Sequence, residues 1–79
     1  MSLRHRPSAT AVSLRLLSCV AVLTALGHDA EIAMHVRAAL RNGLSPAEIS
    51  EVLLHTSLYA GLPAANAAYR IAQAVIDDA

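Results

Sequence analysis

The apolar positions of this chain fall into four stretches with helical spacing, separated by short polar or glycine-containing breaks. From about Val12 to Leu26 the chain is apolar on nearly every side, as expected of a helix covered by its neighbours, and Gly27 ends it. A second helix is expected from Asp29 as N-cap. Ile32, Val36, Ala39 and Leu40 form its apolar stripe, Arg37 and Arg41 point away, and Glu31 stands in the first turn, where its charge suits the helix dipole. Asn42-Gly43 supplies the C-terminal stop.

Ser45-Pro46-Ala47-Glu48 is the sharpest local signal: Ser at the N-cap, Pro at the first helical position and Glu at the third make a capping box. The third helix runs from there to about Ala60, with Ile49, Val52, Leu53, Thr56 and Ala60 facing the core, and Gly61 and Pro63 end it. Leu54 and Leu58 lie on a different face and suggest a subunit interface. A fourth helix, about Pro63 to Asp77, places Ala64, Ala68, Ile71, Ala72 and Val75 on a face that allows close helix approach. The pattern predicts an all-α bundle of about four helices with short connections. Residues 1–11 are polar, contain Pro7 and read as a disordered leader, leaving 12–79 as one helical domain.

Composition sharpens this picture. A chain of 79 residues buries only about 60–65% of the surface its unfolded form exposes, so a lone core is marginal. With one cysteine, Cys19, no internal disulfide can form. One cysteine among scattered histidines matches no zinc spacing, so no metal is expected. Cys19 sits in the apolar first helix with no charge close in sequence and reads as an inert buried thiol. Self-association is the remaining support for a small fold, and a homo-oligomer is expected. All six basic residues are Arg, six acids balance them, and no basic cluster forms. This argues against nucleic acid or an anionic membrane as the main partner. Arg4 and Arg6 ahead of Leu16–Leu26 have the layout of a signal peptide. However, Arg15 abuts the apolar run, and a buried core helix is the favoured reading. The run is too short to span a bilayer, which takes about 20 residues, and a cytoplasmic protein is expected.

Ionisable side chains are scarce, and several align. Glu31 and His35 are four residues apart and project together at the border of the second helix's apolar stripe. Glu51, His55 and Tyr59 form a similar border on the third, with Glu48 nearby. If the two borders face each other, they enclose a cleft of carboxylates, imidazoles and a phenol suited to proton transfer. The plainer reading is that such pairs decorate solvated helix surfaces. His28 reads as a solvated or capping loop residue and His5 as incidental.

The run Leu26-Gly27, Glu31, His35-Val36-Arg37-Ala38-Ala39-Leu40, Asn42-Gly43-Leu44-Ser45, Glu48-Ile49, Glu51-Val52-Leu53-Leu54-His55, Tyr59-Ala60-Gly61 and Pro63-Ala64-Ala65 closely resembles the carboxymuconolactone decarboxylase family of the alkylhydroperoxidase-D-like superfamily. The resemblance covers about residues 14–77 and implies an all-helical, cofactor-free fold that assembles as a ring of subunits. The superfamily's peroxidases carry Cys-x-x-Cys-x-x-x-His. With His35 on that histidine, the cysteine positions fall on His28 and Glu31, so dithiol peroxidase chemistry is not expected. The decarboxylase branch keeps the His and places Glu at the second position, as here.

The resemblance implies decarboxylation of 4-carboxymuconolactone, a small lactone, to 3-oxoadipate enol-lactone in protocatechuate breakdown. In that role His35 would be the general acid, with Glu31 orienting it or sharing the proton. His55 and Tyr59 would polarise the carbonyl or bind substrate, and Glu51 would be structural. Arg37 would bind a substrate carboxylate only from a neighbouring subunit, since it lies about 160° around the helix from His35. Members of the family usually have a further helical segment ahead of the matched part. The alternative role for so short a chain is an inactive oligomerisation module derived from this family.

Overall fold

The computed structural model describes residues 8–79, which form four helices: α1, Ala9–Leu26; α2, Asp29–Arg41; α3, Pro46–Ala60; and α4, Leu62–Asp77. The fold class is the expected all-α bundle. The leader expected over residues 1–11 lies largely outside the described residues; Ser8 caps α1, its hydroxyl accepting from the Ala11 amide at 3.0 Å, and Ala9 to Ala11 are already helical.

Each boundary has a local cause. Gly27 takes a left-handed conformation (φ 72°), which lets its own N–H reach the Thr24 carbonyl and the His28 N–H reach the Leu23 carbonyl at 2.9 Å. This paired closure satisfies carbonyls that the helix end would otherwise leave open. It also corrects the expected start of α2. His28, not Asp29, occupies the N-cap position, without a side-chain cap bond, because its backbone is already shared between the closing turn and the Glu31 N–H. Asp29 and Glu31 still place two acids in the first turn. The capping box at Ser45 forms as expected: the Glu48 N–H donates to the Ser45 hydroxyl at 3.1 Å, and the Ser45 N–H donates to the Glu48 carboxylate at 2.8 Å. α4 begins at Leu62, one residue before the expected Pro63.

The core is built from Val20 of α1, Ile32, Val36 and Ala39 of α2, Ile49 and Leu53 of α3, and Ala68, Ala72 and Val75 of α4, together with Leu44 from the α2–α3 turn. Two threonines are buried with it. Thr24 and Thr56 each donate to the carbonyl four residues earlier, at 2.8 and 2.7 Å, so neither hydroxyl is left unsatisfied. One side-chain lock joins α3 to α4: the Tyr69 hydroxyl donates to the Ser50 carbonyl at 2.9 Å, which leaves the Ser50 hydroxyl to donate to the Tyr69 oxygen at 2.9 Å.

Around the bundle the order is α1, α2, α4, α3. α2 and α3 each pack on both α1 and α4, and they occupy opposite corners. The reason lies in composition. α1 is apolar on most sides, and α4 offers Ala65, Ala68 and Ala72 for close approach, so these two take the short diagonal and touch every other helix.

Candidate functional site

The antiparallel packing of α1 on α2 leaves an open groove of about 480 Å³ on one side of the pair, lined by Arg15, Ser18, Cys19, Val22 and Leu23 from α1 and by His35 from α2. The five α1 residues share one face because they recur at steps of three and four. The volume is within the range of small-molecule sites, about 300–1,000 Å³.

His35 is partly buried and its ring is fixed. Nδ1 lies 2.9 Å from the main-chain carbonyl oxygen of Glu31. A carbonyl only accepts, so Nδ1 carries the proton of that bond. Nε2 is then the nitrogen presented outward, as a lone pair in the neutral ring or an N–H in the imidazolium. Glu31 therefore orients His35 through its backbone, while its own side chain is exposed. Glu31 and His35 are in contact, as their spacing suggests, but through the Glu31 main-chain oxygen and not its carboxylate.

His55 and Tyr59 are brought together on α3, their rings edge-to-face with centroids 5.4 Å apart, but both are exposed, Tyr59 by 80%. Because α2 and α3 sit at opposite corners, the two borders do not face each other within one chain, and neither residue lines the His35 groove. Glu51 is exposed on the same helix. Arg37 lines a different hollow, with Leu40, Arg41, Val75 and Asp78, between α2 and the end of α4.

The groove also holds residues that sequence reading did not connect to His35. Arg15 stood out only as a charge beside an apolar run. Cys19 is partly exposed in the groove wall, which corrects its reading as a buried thiol. The available signal was the turn at Gly27-His28. Counting outward from it along two antiparallel helices puts Cys19 and Val20 level with His35.

The chain is of the class of small all-α bundles that hold an oriented imidazole beside a groove of small-molecule size. Comparison with known proteins identifies the class: the family model described as "Carboxymuconolactone decarboxylase family" matches residues 3–74, and the chain belongs to that family. The match extends through the segment ahead of residue 14 that the resemblance left out. Over 64 residues the chain is 52% identical to 4-carboxymuconolactone decarboxylase of Acinetobacter baylyi, covering 81% of this chain and 48% of that protein. It is 38% identical over 48 residues to nitrosuccinic acid decarboxylase of Metarhizium robertsii, covering 61% of this chain and 34% of that protein. An uncharacterised 15.0 kDa protein of Paracoccus denitrificans is 41% identical over 63 residues, covering 77% of this chain and 47% of that protein. The chain thus spans about half the length, or less, of the curated relatives it matches.

Proposed function

We propose that this chain decarboxylates 4-carboxymuconolactone, with His35 donating the proton to carbon. The observation that carries this reading is the 52% identity to the Acinetobacter enzyme. It is joined to a histidine whose hydrogen bond to Glu31 turns Nε2 outward beside a groove. The bond between the ring γ-carbon and its carboxylate breaks, CO2 leaves, and the electron pair moves through the ring double bond to the lactone carbonyl. The resulting dienolate takes a proton at the α-carbon from the Nε2–H of the His35 imidazolium, giving the enol-lactone, and solvent reprotonates the ring. The lactone is its own electron sink, so the reaction asks only for an acid and a hydrogen-bond donor to the dienolate oxygen. Ser18, on the groove's α1 wall, supplies a hydroxyl for that oxygen.

The same reading places the protein in the cytoplasmic breakdown of protocatechuate and makes it a homo-oligomer. Support for self-association comes from the surface: Leu14, Val22, Leu26, Met34, Leu54, Leu58 and Leu62 are all more than half exposed, which is a large apolar area for a chain of this size. His55 and Tyr59 reach a groove only across such a contact.

The test follows conversion of 4-carboxymuconolactone by the purified chain, with His35→Ala as control. Turnover that depends on His35 supports the reading. A well-folded chain with no turnover would leave the oligomerisation module as its role. Undiminished turnover by His35→Ala would keep the function and remove the mechanism. Sedimentation as a stable monomer would remove the assembly.

A further inference from the structure

The decarboxylation reading leaves one chemical demand unmet. The substrate carries two carboxylates, one on the γ-carbon that leaves as CO2 and one on the side arm that remains in the product. An anionic substrate held in an open groove needs a cation, and Arg37 is on the wrong side of α2. We infer that Arg15 binds the retained carboxylate and thereby sets the direction in which the lactone lies against His35.

The groove has three tiers along α1. Val22 and Leu23 are nearest the turn to α2, Cys19 is level with His35, and Arg15 is one helical turn further out, about 6 Å along the axis. The cation thus stands at one end, the acid in the middle and apolar surface at the other end.

The chemistry decides which carboxylate each end takes. Decarboxylation drains negative charge out of the departing group and into the ring. A guanidinium on that group would hold the charge where it starts and stabilise the ground state more than the transition state. On the retained carboxylate the same guanidinium binds both states equally. It therefore contributes affinity without opposing the chemistry, and its planar fork matches a carboxylate in two parallel hydrogen bonds. The departing carboxylate then lies toward Val22 and Leu23, which offer it no donor. Both groups are carried by the γ-carbon, so with that carbon between the two ends the ring projects across the groove toward His35, whose Nε2 is the acid for the α-carbon.

The experiment compares Arg15→Gln and Arg15→Lys with the wild type on two substrates: 4-carboxymuconolactone and its monoester on the side-arm carboxylate. On the diacid, Arg15→Gln is expected to raise KM about 10- to 100-fold, the effect of one charge-assisted hydrogen-bond pair, with kcat within about three-fold. Arg15→Lys should fall between, because it keeps the charge and loses the fork. On the monoester, the wild type should already bind weakly and Arg15→Gln should add little. A purely structural role for Arg15 would instead weaken both substrates alike, and that result, or an unchanged KM on the diacid, would overturn the inference.

A second readout does not depend on turnover. Iodoacetamide should alkylate Cys19, which is partly exposed in the groove wall, and 3-oxoadipate enol-lactone at a concentration that saturates the wild type should slow that labelling several-fold there but not in Arg15→Gln. If the wild type turns nothing over, the proposed function fails while this protection still decides the role of Arg15. Equal protection in both proteins, or none in the wild type, sinks it.

Discussion

Two histidines in this molecule sit in the same sequence context, each four residues from a potential partner on an exposed helix border, and the fold treats them differently. His35 has a second helix beside it: α1 walls one side, the Glu31 carbonyl pins Nδ1, and a groove opens at the other nitrogen. Among the described residues, His55 has Tyr59 as its ring contact, on a face where Leu58 is 75% exposed and no described helix arrives. Four-residue spacing therefore nominates a pair, and the neighbouring helix decides whether the pair lines a groove.

The largest test of that contrast is catalytic. His35→Ala should lower turnover of 4-carboxymuconolactone by about 10²- to 10⁴-fold, the usual contribution of a positioned acid, while His55→Ala should cost less than ten-fold. Steady-state rates with matched circular dichroism spectra check both. An equal loss from the two variants would show that α3 of another copy completes the groove, and the contrast would collapse.

The next test is packing. Leu53, fully buried on α3, should cost about 2–5 kcal/mol when cut to Ala. Leu58→Ala, five residues along the same helix, should stay within about 0.5 kcal/mol in the monomer. Urea unfolding separates them. If Leu58→Ala is as costly as Leu53→Ala, and more so at higher protein concentration, the α3 face is covered in solution.

The smallest effect concerns the two tyrosines. Tyr69→Phe removes the hydroxyl that ties α4 to Ser50 and should destabilise by about 1 kcal/mol. Tyr59→Phe removes no hydrogen bond of the described structure and should leave the midpoint unchanged. Thermal melts of the pair would blur the distinction if both shifted equally.

Much of the fold was legible in the sequence because it is written in local chemistry. Ser45 and Glu48 specify a helix start by themselves, Gly27 and Gly43 specify stops, and the apolar stripes at Ile32–Val36–Ala39 and Ile49–Leu53–Thr56 are buried as their spacing requires. What a linear reading lacked was the order of helices around the bundle. A stripe shows which face turns inward, but not which helix it meets, and the placement of α2 opposite α3 depends on α1 and α4 packing closely across the centre. The site suffered for the same reason. The Glu31–His35 spacing was visible, but Arg15, Ser18 and Cys19 reach His35 only through antiparallel pairing. The His28 cap was missed because one backbone serves two helix ends at once.

The left-handed turn at Gly27 has a kinetic consequence. It folds α1 back on α2 within two residues, so every lining residue of the His35 groove belongs to a single helical hairpin. Contacts of short sequence separation carry a small loop-closure cost and form early in folding. The groove's lining residues are therefore brought together by contacts of the kind that close fastest, and none of them waits on a pairing with α3 or α4.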